Sequence, residues 1–140
     1  VIMSNKNAVF GVTCSYTGPG GTAISAPAQS VTVPYQALSS GTLDIPNATA
    51  ASEELTIPVG SIDTAVTAVM LRNSSGQELD IEFEGGSENP FSIPTGGLVL
   101  LAFPSEPAET PITAITVTTS AEQSGAGAVH YWVFGDMAGA

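Results

Sequence analysis

The chain has 140 residues, with thirteen carboxylates set against one lysine and one arginine, for a formal net charge of −11. Phosphate backbones are held by Lys and Arg, so this balance excludes nucleic acid as a partner, and an anionic membrane surface would repel the chain. One histidine (His130) and one cysteine (Cys14) allow no intrachain disulfide and supply few groups for convergent acid–base chemistry.

Read in chain order, the sequence is a series of short β-prone runs cut by Gly and Pro. Residues 8–16 alternate with period 2, placing Phe10, Val12, Cys14 and Tyr16 on one face. The run Gly18-Pro19-Gly20-Gly21 then breaks the strand into a loop. Residues 29–35 read as a second strand, which Pro34 confines to an edge or a strand end. Ser39-Ser40-Gly41 reads as a turn before a third strand over 42–45, and residues 54–57 as a fourth.

Residues 65–72 are more continuously apolar and are expected to be central in a sheet. Asn73-Ser74-Ser75-Gly76 is a turn signal. In the run 79–84 that follows, Leu79, Ile81 and Phe83 alternate with Asp80, Glu82 and Glu84, so the two runs are expected to pair as a hairpin. Residues 91–93, 98–103, 112–118 and 128–134 complete the pattern. The expected fold is therefore all-β: a single jelly-roll-like β-sandwich of about eight or nine short antiparallel strands. One domain over 1–140 is expected, with an extended N-terminal arm at 1–7 and a flexible tail at 135–140.

A weak internal echo links Ile57-Pro58-Val59-Gly60 to Ile93-Pro94-Thr95-Gly96, 36 residues later. Duplication would explain it. The simpler reading is that Pro fixes φ and Gly relaxes it, so that each motif ends a strand and turns into the next.

No run reaches the ~18–20 apolar residues of a membrane span, and the opening residues lack the basic head and apolar core of a secretory leader. The sequons at Asn47 and Asn73 read as chance matches without such a leader.

Glu78, Asp80, Glu82 and Glu84 share one strand face. Asp80, Glu82 and Glu84 are weak candidates for a cation site, but carboxylates ~6.5–7 Å apart along a strand ordinarily form a solvated face. No metal or other cofactor is expected. His130 shares a face with Trp132 and Phe134, while Val129, Tyr131 and Val133 share the other, and both faces are expected to be covered. Cys14, on an apolar face, is expected to pack as a small hydrophobe. The glycine pairs at 20–21, 85–86 and 96–97 lack the Lys-Ser/Thr of a phosphate loop and read as turns.

Residues 69–80 (Val-Met-Leu-Arg-Asn-Ser-Ser-Gly-Gln-Glu-Leu-Asp) resemble the apolar strand, Arg-Asn, turn, strand pattern of small virion proteins of tailed bacteriophages. Residues 92–100, together with 123–127 and 131–136, extend the resemblance over roughly 55–136. It implies a non-enzymatic structural protein of the virion, assembled in the host cytoplasm. Its partners would be the major capsid protein and copies of itself, with a trimer favoured, in the role of capsid decoration or cement. It carries over no functional residues. Ile2, Met3, Val9, Phe10, Tyr131, Trp132 and Phe134 are the expected contact or core anchors, because aromatic residues and Met are enriched in interface cores. A tail, collar or baseplate component would have the same composition. A carbohydrate- or host-receptor-binding sandwich is the alternative from another class.

Overall fold

A computed structural model describes residues 6–47, 52–84, 91–104, 112–119 and 125–137 of the chain. The described residues are all-β. After an N-terminal hairpin come eight strands in two four-stranded antiparallel sheets: β5 (Ala37–Ile45), β6 (Glu54–Thr56), β7 (Ala65–Asn73), β8 (Leu79–Glu84), β9 (Phe91–Ile93), β10 (Leu98–Ala102), β11 (Ala114–Thr119) and β12 (Gly127–Asp136). One sheet has the order β10-β7-β12-β5 and the other β6-β11-β8-β9. The chain crosses from sheet to sheet at every step but β8 to β9, which is the wrapping of a jelly roll.

Alternation along the strands builds one core between the sheets. Val69 and Leu71 of β7 and Val129, Tyr131 and Val133 of β12 share a buried cluster with Leu79 and Ile81 of β8 and Ile115 and Val117 of β11. Side chains such as these contribute ~1.5–3 kcal/mol each when fully buried. On the far face of the second sheet, Asp80 and Glu82 are half-buried and Glu84 is exposed, as the alternation in 79–84 predicts.

The hairpin expected between residues 65–72 and 79–84 does not form. β7 pairs with β10 and β12, whereas β8 pairs with β11 and β9, so residues 74–78 arch from one sheet to the other. Both strands have a core face to bury, and opposing sheets satisfy both at once. The arch is held by Asn73, which is 1% exposed. Its Nδ2 donates to the carbonyls of Gln77 (2.9 Å) and Ile93 (3.0 Å), and its Oδ1 accepts from the Ser75 N–H and hydroxyl. Burial also closes the second sequon to modification.

The turn expected at 39–41 is likewise absent, because β5 runs unbroken from Ala37 to Ile45. Gly41 is there for space: a Cβ at this position would lie 3.0 Å from the Tyr131 hydroxyl oxygen. The expected flexible tail begins too early, since β12 continues to Asp136 and Gly135 is buried. Lys6 and Asn7, assigned to an extended arm, already belong to a strand.

The N-terminal quarter forms a long hairpin rather than a core strand. β1 (Lys6–Val12) pairs with β4 (Gln29–Tyr35), and farther out β2 (Ser15–Thr17) pairs with β3 (Ala23–Ser25). Between the two ladders the register shifts by one residue, and the Ala26 N–H bonds the Cys14 carbonyl (2.8 Å). Gly20 and Gly21, at φ of 87° and 82°, supply the left-handed turn at the tip. β3 was not expected from the sequence, and Cys14 is exposed rather than packed.

Candidate functional site

The base of the hairpin lies on the outer face of the first sheet. Phe10 and Tyr35 both meet Phe134 edge to face, with ring centres 5.3 and 5.0 Å apart. Ala8, Phe10, Val31, Val33 and Tyr35 share the hairpin's lower face, and Val33 is fully buried. The Gln36 N–H bonds the Gly135 carbonyl (3.0 Å), joining hairpin and sheet where β4 turns into β5.

Strand register orders the rest of this outer face into rows. Leu100, Met70, Trp132 and Ser40 lie side by side across the four strands, as do Leu98, Arg72, His130 and Thr42. Trp132 is 38% exposed and Leu98 is 58% exposed. Where the hairpin meets this face, Gly11, Val12 and Thr13 on one side and Met70, Leu98 and Leu100 on the other line a shallow groove of about 480 Å³.

Among the described residues, eight large apolar side chains are exposed: Val9, Val12, Tyr16, Ile24, Leu38, Leu98, Trp132 and Phe91. All but Phe91 lie on the hairpin or on this one outer face. The exposed apolar side chains are thus concentrated on one side of the sandwich rather than scattered singly over it. The outer face carries Arg72 and, toward one end of β5, Asp44, whereas the hairpin beyond Lys6 is uncharged. Residues 7–43 contain no Asp, Glu, Lys or Arg, and all thirteen carboxylates lie from Asp44 onward. Arg72, beside His130, makes no ion pair among the described residues.

The residues expected as anchors therefore separate. Val9 points to solvent at 69% exposure, and Trp132 is partly exposed on the outer face. Phe10 and Phe134 clamp the hairpin to the sheet. Tyr131 is 7% exposed within the core cluster, so it anchors the core and offers nothing to a partner. Ile2 and Met3 lie outside the described residues. His130 and Phe134 are half-buried, and only Val129, Tyr131 and Val133 are covered by the opposing sheet. Leu38, Met70, Leu98 and Leu100 were missed as surface residues. Leu38 lies in the uncharged stretch 7–43, but the runs 65–72 and 98–102 are almost continuously apolar and hold no period-2 signal that separates the outer face from the core.

The carboxylates of β8 keep to the opposite sheet. Asp80 accepts a hydrogen bond from the Ser92 hydroxyl (2.6 Å), and no group of three His, Cys, Asp or Glu residues is placed to hold a metal ion among the described residues. Trp132 stands on the outer face without Tyr131 beside it, so these two do not form a shared sugar-stacking platform.

Comparison with protein-family models, curated proteins and solved structures finds no match for this chain.

Proposed function

We propose that the chain is a non-enzymatic structural protein of a phage virion, and specifically a capsid decoration protein. It would stabilise the head by multivalent contacts with the major capsid protein and with copies of itself, as a trimer. The observation that carries this reading is the apolar side formed by the uncharged stretch 7–43 and the outer sheet face, with Val9 and Trp132 presented to solvent. Cementing a shell requires buried area rather than chemistry. A standard contact buries ~1,600 Å², and modest contacts accumulate over many copies.

The resemblance of residues 69–80 to small virion proteins supports the same reading, as does a jelly-roll sandwich with a projecting hairpin. The test is to mix the purified protein with expanded, undecorated phage heads from the same source and image the particles. Ordered extra density between capsomers or at symmetry axes is the expected result. Bare heads at saturating protein would overturn the decoration role and move the assignment to a tail component or a glycan-binding module.

A further inference from the structure

The outer half of the hairpin has no support from the sandwich. Every residue of β2 and β3 is exposed, and these strands pair only with each other. Tyr16 and Ile24 stand directly opposite one another across this ribbon, 53% and 38% exposed, with Ile24 lying over Gly18. An isolated two-stranded ribbon is marginal in water. A projecting one that carries an exposed aromatic–aliphatic pair gains by docking.

We infer that the hairpin tip of one copy docks into the groove of a second copy, with Tyr16 and Ile24 seated against Met70, Leu98 and Leu100. Charge selects the occupant. Two chains of net charge −11 repel wherever their carboxylates face each other, so copies can approach closely only through surfaces that carry none. The tip, within the uncharged stretch 7–43, and the groove both meet that condition. A basic partner would instead be drawn to the carboxylates of β8 on the opposite sheet. Tip and groove are different patches of one chain, so the contact is head-to-tail, and its repetition closes a ring or extends a chain. The inference deepens the self-association part of the proposed function and does not depend on head binding.

Two measurements on the full chain test it. The first is the oligomeric state of wild type, Ile24→Glu and Leu98→Glu over a wide concentration range. Wild type should associate, and each variant should weaken association by about tenfold or more. Both substitutions are at exposed positions, so an unchanged thermal midpoint shows that the fold is intact. The second mixes two chains that both carry Cys14→Ser, one with Ile24→Cys and the other with Leu98→Cys, under mild oxidation. A mixed disulfide dimer is expected. A monomeric wild type, variants that associate like wild type, or absence of the mixed disulfide would each overturn the inference. A chain that decorates heads yet stays monomeric refutes this contact and leaves the decoration role standing.

Discussion

Phe10 and Phe134 meet edge to face, their ring centres 5.3 Å apart and their planes at 84°. One belongs to the hairpin and the other to the sheet, and with Tyr35 they form the clamp that fixes the hairpin's base. Such aromatic pairs contribute ~0.5–1.5 kcal/mol beyond the area they bury. Phe10→Ala is expected to cost about 1–3 kcal/mol in total. Amide exchange should quicken in residues 6–12 and 29–35 and remain unchanged in 114–119, which would locate the loss in the hairpin.

Asn73 carries the arch between the sheets. Asn73→Ala takes the side-chain donor from the Ile93 carbonyl, one of two side-chain donors from the Gln77 carbonyl and the acceptor from Ser75, for an expected loss of about 1–3 kcal/mol. Asn73→Asp should not rescue it at neutral pH, because a carboxylate accepts where two donors are needed. The check is a urea titration in which the midpoint falls and the slope does not change.

Gly135 sits where the pairing of β12 with β7 shifts register, and a Cβ there would run into the Ala65 carbonyl and the Ile62 side chain. Both neighbours are held in the core, so neither can give way. Gly135→Ala is expected to destabilise by about 1–3 kcal/mol, measured by thermal unfolding.

Val9 separates binding from stability. At 69% exposure on the hairpin's upper face, its replacement by Glu should cost under about 1 kcal/mol. On the proposed function the same change should sharply reduce the occupancy of phage heads, measured by co-sedimentation.

Salt should strengthen self-association. The contact proposed between copies holds no ion pair, whereas the remaining surfaces carry like charge, so screening removes repulsion and costs no attraction. At 0.15 M the Debye length is ~8 Å, and sedimentation should show larger species as ionic strength rises through that range. An interface built on ion pairs would show the opposite trend.

Alternation and punctuation determined much of this fold in advance. Residues 29–35 and 65–73 are strands with nearly the expected bounds, and the carboxylates of β8 face away from the core, because side-chain direction along a strand is a local property. The Ile-Pro-x-Gly echo also has a physical meaning. It ends β6 and β9, the two edges of one sheet, and each copy leads the chain across to the other sheet, with Gly60 and Gly96 at positive φ. Repeated turn chemistry marks equivalent crossings.

Only the tertiary structure decided which strand pairs with which, and hence which faces remain open. The turn at 73–76 reads the same whether it closes a hairpin or arches between sheets, because the choice depends on core contacts with strands more than thirty residues away. Gly41 looks like a turn until Tyr131 packs against it. The apolar alternation in residues 8–16 looks like a core strand until the sandwich fills without it, leaving Val12, Cys14 and Tyr16 in solvent. Local sequence sets what a strand would bury; whether it is buried depends on what the rest of the chain brings to meet it.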